Sequence, residues 1–158
     1  MVYILLPILL SSLLYAQDSR EINPTVEVRV EPTNTASELL LEVVIQNKGS
    51  TPIIVDVDAL PWLNTSSLIL VVGAVKGFRF EPLPIMLRIA DLAMDKMVIP
   101  AGGSLRGRVD LDDQYHTMKS DLTKTDVAVF WTYQLIPLEG SPSKRFGGWI
   151  LFNKRLTK

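Results

Sequence analysis

The clearest structural signal in the chain is an alternation of apolar and polar residues over positions 39–57. Leu41, Val43 and Ile45 alternate with less apolar neighbours, which is the period of two typical of a strand with one buried face. Residues 47–50 (NKGS) indicate a turn, because Asn and Gly adopt positive φ at little steric cost. The alternation then resumes over residues 53–57, so the segment predicts two antiparallel strands paired with each other.

Further segments of strand length follow along the chain, at residues 26–30, 68–72, 76–80, 105–111, 127–136 and 146–152. Within residues 76–80, the pattern places Phe78 and Phe80 on one face and Arg79 on the other. Pro82 then interrupts the ladder, since proline donates no hydrogen bond, and this indicates a sheet edge or a crossover between sheets. Short strands with little helix predict an all-β fold, an immunoglobulin-like antiparallel β-sandwich of about seven to nine strands.

The start of the chain predicts export. Residues 4–14 are apolar apart from two serines, and this run is too short to cross about 30 Å of hydrocarbon as a helix. It predicts a signal peptide over residues 1–16, with an uncleaved anchor as the alternative because no Lys or Arg precedes the run. A polar leader (residues 17–24), the sandwich (residues 25–153) and a polar tail (residues 154–158) complete the organisation.

Composition limits the cellular compartment and the classes of binding partner that the sequence supports. The 16 basic and 17 acidic residues give a formal net charge of −1, which provides no general electrostatic reason to bind nucleic acid or an anionic membrane. The chain has no Cys, so thiol catalysis, Cys-ligated zinc and iron–sulfur clusters are excluded. We expect a secreted or periplasmic protein that is held together by burial alone and has no stable membrane insertion after signal cleavage.

Candidate chemistry is sparse. The single His, His116, lies in a polar segment and is interpreted as a solvated loop residue. Asp110, Asp112 and Asp113 form the densest acidic cluster, and carboxylates at this spacing could hold Ca²⁺. The glycine and distal Glu of a calcium loop are missing, so a solvated strand end with a helix N-cap at Asp112 is favoured. The sequence predicts neither an enzyme nor a cofactor.

Several short stretches resemble a known module, namely residues 41–52 (LEVVIQNKGSTP), Leu60-Pro61-Trp62, residues 98–104 (VIPAGGS) and residues 109–115 (VDLDDQY). In this order they are similar to the immunoglobulin-like domain that precedes the catalytic domain of secreted deuterolysin-type zinc metallopeptidases. The chain has no His-Glu-x-x-His motif, so the resemblance implies the accessory domain alone. In its parent context that domain assists folding or restrains the protease.

We therefore expect a non-catalytic sandwich that binds another exported protein, for example as a protease-propeptide-like inhibitor or accessory factor. Candidate contact residues are Trp62, Asn64, Phe78 and Arg79, because aromatic and Arg side chains dominate interface hot spots and loops carry most binding sites. For Trp62, an aromatic plug of the core is the favoured interpretation, with an exposed contact as the alternative. The alternative function is a structural or cell-envelope module that uses an exposed strand edge.

Overall fold

The computed structural model describes residues 25–34, 38–63, 67–86 and 95–154. This part of the chain contains nine strands: β1 (Val26–Asn34), β2 (Leu39–Asn47), β3 (Ile53–Asp56), β4 (Leu68–Lys76), β5 (Arg79–Pro82), β6 (Lys96–Ile99), β7 (Ser104–Asp110), β8 (Asp126–Tyr133) and β9 (Phe146–Phe152). Its helices are all short: a 3₁₀ turn (Val57–Ala59), α1 (Leu111–Gln114) and α2 (Met118–Leu122). Within the described residues, no helix has the length and apolarity needed to span a membrane.

The strands form three antiparallel sheets, with the orders β1-β2-β7, β3-β6 and β5-β4-β8-β9. Buried side chains from all three sheets meet in a single hydrophobic cluster. Apart from the small β3-β6 pair, two sheets with these strand orders correspond to the two layers of an immunoglobulin-like sandwich. The predicted all-β sandwich is therefore confirmed, and its strand number lies within the predicted range.

Strand β2 supplies the centre of one layer. Leu41, Val43 and Ile45 are fully buried, as the alternation predicted. Val43 pairs with Val30 of β1 on one side and with Gly107 of β7 on the other. Both edges of β2 are thus occupied, and its apolar face points into the cluster between the layers.

The predicted pairing of the two strands within residues 39–57 is wrong. The second strand, β3, pairs with β6 in a different sheet, so the turn carries the chain from one sheet to another. Buried Asn47 holds this crossing in place. Its Nδ2 donates to the carbonyl oxygens of Thr51 (2.8 Å) and Ile99 (3.2 Å), and its Oδ1 accepts from the amide of Gly49 (2.9 Å). Alternation identifies the buried face of a strand but leaves its hydrogen-bonding neighbour open.

The predicted end of a strand at residue 72 is also wrong. Strand β4 continues through Gly73 to Lys76, because the absence of a side chain at Gly73 makes room for the ring of Phe80 from β5. The chain then turns at Gly77-Phe78, so Phe78 is a turn residue and does not share a strand face with Phe80. Strand β5 ends at Pro82 and lies at the edge of its sheet, as the proline predicted.

The N-cap of the first α-helix lies two residues earlier than expected. The N-cap of α1 is Asp110, whose Oδ1 accepts from the amides of Asp112 (2.9 Å) and Asp113 (3.3 Å). The predicted N-cap at Asp112 is therefore wrong. Strand β7 ends at Asp110 itself, so the residue that closes the strand also begins the helix.

Candidate contact surface

Trp62, the first of the predicted contact residues, packs on the core. It follows the 3₁₀ turn, is half-buried and lies against the hydrophobic cluster. Its indole covers Gly107, where an added Cβ would lie 1.9 Å from Cδ2 and 2.2 Å from Cγ. Only glycine leaves room for this approach. The geometry favours the core-plug interpretation of Trp62 over an exposed contact.

Phe78 and Arg79 lie at the tip of the hairpin that joins β4 to β5. Gly77 has a φ of 61° and Phe78 has a negative φ, the combination found in a type II′ hairpin turn. Phe78 is fully exposed, with a relative accessibility of 111%. The tip therefore presents an aromatic ring to solvent on a tight turn.

An ion pair braces the hairpin behind this tip. Lys76 Nζ lies 2.5 Å from Glu81 Oε2, and this carboxylate raises the pKa of Lys76. Arg79 pairs with Lys76 in the strand register and is exposed. The remaining predicted contact residue, Asn64, lies outside the described residues.

A larger surface lies on the outer side of the four-stranded sheet. Six large apolar side chains of its strands point away from the core, and each of them is between 38% and 65% exposed. We define this outer apolar face by Ile69, Val71, Phe80, Phe130, Trp149 and Leu151. Contiguous apolar patches on monomeric proteins commonly mark interaction sites.

The strand register makes the outer apolar face continuous. Val71 of β4 pairs with Phe130 of β8, which pairs in turn with Trp149 of β9, so one apolar row crosses three strands. Phe80 of β5 meets Phe130 edge-to-face, with ring centroids 5.5 Å apart and an interplanar angle of 77°. Such a geometry is favourable for aromatic pairs, and it extends the row to the fourth strand.

Among the residues that the structure describes, charged groups lie at the two ends of this face. At one end, Arg145 donates to Thr132 Oγ1 (3.1 Å) and to Gln134 Oε1 (3.3 Å). At the other end, Asp126 Oδ1 accepts from the amide of Lys154 (2.6 Å). The outward positions of β4, β8 and β9 between these ends carry no charge. The centre of the face is therefore uncharged. Arg145 lies at one end, and the carboxylate of Asp126, next to the backbone of Lys154, lies at the other.

The outer side of the three-stranded sheet differs sharply from this. It carries a hollow of about 280 Å³ with charged walls from β1, β2 and β7. Glu27 there lies 2.7 Å from Arg29 Nε and 3.0 Å from Lys48 Nζ, and hydrogen bonds from these cations lower the pKa of Glu27. This side shows the ordinary solvated face of a sandwich, so the apolar character of the other side is specific to it.

The acidic cluster and the single His do not converge on a cation site in the described part of the chain. Asp112 Oδ2 lies 2.5 Å from Lys119 Nζ, while His116 is exposed in the turn between α1 and α2. Among the described residues, no group of three His, Asp or Glu side chains is placed to hold a metal ion.

Sequence reasoning missed the outer apolar face because it looked for contacts in loops. The signal was present in strands where alternation fails: Ile69 and Val71 are apolar at positions that face outward from β4, as are Trp149 and Leu151 in β9. A sandwich strand with water on one side needs polar residues at such positions. Apolar residues on both faces of β4 and β9 therefore indicated a second apolar surface, outside the core.

Comparison with known proteins does not place the chain in a family. No protein-family model matches it, and no match to it is found among curated proteins. A function is therefore inferred from the surfaces of the chain together with the sequence resemblance described above.

Proposed function

We propose that the chain is an exported, non-catalytic β-sandwich that binds another exported protein through the tip of the β4–β5 hairpin. The observation that carries this proposal is the full exposure of Phe78 on a tight turn. A tight turn limits the backbone conformations of its residues before binding, so little backbone entropy is lost when a partner covers the ring. Phe78 is thus suited to act as an anchor.

Arg79 and the ion pair behind it add to this anchor. The exposed guanidinium of Arg79 follows Phe78 directly and offers several fixed N–H donors to carbonyl or carboxylate oxygens. The Lys76–Glu81 ion pair lies within the same hairpin, behind the tip. The matching partner surface is an apolar pocket with acidic or carbonyl groups at its rim.

The resemblance to an accessory domain supplies the class of partner. We propose a secreted zinc metallopeptidase, which the chain restrains or helps to fold in the manner of a propeptide. The support is the shared order of turn and strand-end motifs together with the lack of a His-Glu-x-x-His motif. A sandwich that supplies no catalytic zinc ligands of this type would act on such an enzyme only by contact.

The test is an inhibition assay with a purified secreted zinc metallopeptidase from the same organism. The chain should lower the rate of peptide hydrolysis in a saturable manner, and Phe78→Ser should weaken this effect by about tenfold or more, as loss of a hot-spot aromatic does. Ile136→Ser is the matched control, because Ile136 is an exposed apolar residue (56%) away from the hairpin, and it should leave the effect unchanged.

Two results would contradict the proposal. An unchanged rate with no detectable complex would remove the metallopeptidase as partner. A complex that forms equally well with Phe78→Ser would remove the hairpin tip as its contact.

A second function is supported by the position of β9. This strand is the last in its sheet and is mostly apolar (FGGWILF), and an exposed apolar edge is a template for strand addition from another chain. A structural or cell-envelope module would use this edge to form polymers. Ultracentrifugation separates the two functions, since polymers of the purified chain would favour the second and small discrete species the first.

A further inference from the structure

We infer that the outer apolar face is the contact surface between two copies of this chain, related by a two-fold axis. This inference is independent of the hairpin tip, because Phe78 lies in the turn and the face is built from strand positions. The size of the face, its symmetry and the placement of its charges support a second copy as the occupant.

The area of the face reaches the lower bound for a specific interface between two copies. Its side chains are between 38% and 65% exposed. The three aromatic ones have about 150–250 Å² each, and together with the smaller aliphatic ones they present roughly 500 Å² of apolar surface to water. That value lies near the upper end of what monomers leave uncovered. Two copies packed through this face would bury roughly 1,000 Å² before any rim residues are counted, which is the lower bound for a specific interface.

The charges make the face complementary to itself. Asp126 and Gln134 lie at equal distances from Phe130 along the chain, about 13 Å to either side at about 3.3 Å per residue. Arg145 is anchored on Gln134. A two-fold axis that passes through Phe130 and runs across the strands would place Arg145 of each copy over the Asp126 end of the other.

The alternative axis, parallel to the strands, would place like charges over each other and is disfavoured. The crossing axis also places Val71, Phe130 and Trp149 each over its own counterpart, because their row runs along the axis. Such an isologous contact closes on itself and yields a dimer with no further growth. Aligned packing of two sheets is a common arrangement in β proteins.

The test begins with the molar mass of the full chain in solution, measured by sedimentation equilibrium. We expect twice the 17.6 kDa of one chain. Val71→Lys should raise the dissociation constant of the dimer by about 30-fold or more, because two lysines would meet in a dry centre. Val98→Lys is the matched control, since Val98 on β6 is 50% exposed and Val71 is 46% exposed. It should leave the mass unchanged, and thermal unfolding should show both variants folded.

A charge exchange tests the axis. Arg145→Asp and Asp126→Arg should each weaken the dimer, and the double variant should restore the dissociation constant to within about threefold of the wild type. A chain that stays monomeric at about 100 µM would overturn the inference, as would a dimer insensitive to Val71→Lys. A dimer that the double variant fails to restore would overturn the proposed axis.

The outcome is separable from that of the proposed function. If Val71→Lys abolishes the dimer and Phe78→Ser does not, the face and the tip serve different contacts, as inferred. If the chain is monomeric and Val71→Lys instead weakens binding to the metallopeptidase, the face belongs to that partner and the dimer is refuted.

Discussion

Gly107→Ala is expected to destabilise the sandwich by displacing Trp62 from the inner side of the three-stranded sheet. A methyl group at Gly107 would lie 1.9 Å from Trp62 Cδ2, 2.2 Å from Cγ and 2.4 Å from Cε2. Carbon atoms in contact are normally about 3.5–4.0 Å apart. No small shift resolves this overlap, so the indole has to leave its position on β7.

The cost follows from the apolar area that the indole covers. Trp62 is half-buried, and loss of about 100 Å² of apolar contact at about 25 cal/mol per Å² amounts to about 2.5 kcal/mol. Replacing a strand glycine by alanine returns about 0.5–1 kcal/mol. We therefore expect a net loss of about 1.5–2 kcal/mol, or a decrease in Tm of about 3–8 °C for a chain of this size.

Urea unfolding followed by circular dichroism measures this loss, and a double-mutant cycle with Trp62→Leu identifies its source. In the Trp62→Leu background, Gly107→Ala should cost at least about 1 kcal/mol less than in the wild type, because the large ring is gone. Gly147→Ala in β9 is the comparison: its Cβ would lie 3.1 Å from the carbonyl oxygen of Trp131, against 1.9 Å from Trp62 Cδ2 at Gly107, so it should cost less than Gly107→Ala. Wild-type stability of Gly107→Ala, or strictly additive effects in the cycle, would refute the packing of Trp62 on Gly107.

Two further outcomes follow from buried polar groups. Asn47→Ala should lower the free energy of unfolding by about 1–3 kcal/mol, because it leaves the carbonyl oxygens of Thr51 and Ile99 without their buried donor; an unchanged urea midpoint would contradict this. Burial raises the pKa of Tyr133, whose hydroxyl donates to the carbonyl oxygen of Ala59 (3.1 Å). The folded chain therefore keeps this proton above pH about 10, where the unfolded chain loses it. The contribution of Tyr133 to stability is thus constant below that pH and falls above it. In Tyr133→Phe, the Tm should fall less steeply between about pH 9 and 11.5 than in the wild type. An identical dependence of Tm on pH in the variant would contradict the role given to Tyr133.

The buried faces of the strands could be predicted because they depend on neighbouring residues only. Successive side chains of a strand point to opposite sides, so the alternation of Leu41, Val43 and Ile45 was enough to identify the inner side of β2. The edge position of β5 could also be predicted from a single residue, since Pro82 cannot donate a hydrogen bond to a neighbouring strand.

Strand pairing could not be predicted in this way. β2 and β3 are close in sequence and match in pattern, yet β2 pairs with β1 and β7, while β3 pairs with β6. Each strand has two edges, and many other strands of similar pattern could pair with them. Packing of the whole core selects the actual neighbours. Asn47, which ties the crossing between the two sheets, shows this dependence, because one of its acceptors is distant in sequence.

The contact surfaces also divide into those that local sequence signals indicated and those that depend on tertiary packing. The sequence singled out Trp62 and Phe78 as aromatic contact candidates, and the structure places Trp62 on Gly107 and Phe78 in solvent. Phe78 was predicted within a strand and lies instead in the turn before β5. The outer apolar face combines residues of β4, β5, β8 and β9, which no local pattern brings together.

By itself, the sequence determined the all-β class and the side of the strands that faces the core. Covalent geometry makes successive side chains of a strand point to opposite faces, so this side can be identified from neighbouring residues. Only the tertiary structure decided which strands are neighbours and which apolar residues remain uncovered. Both outcomes depend on competition between distant segments for the same edges and the same buried volume.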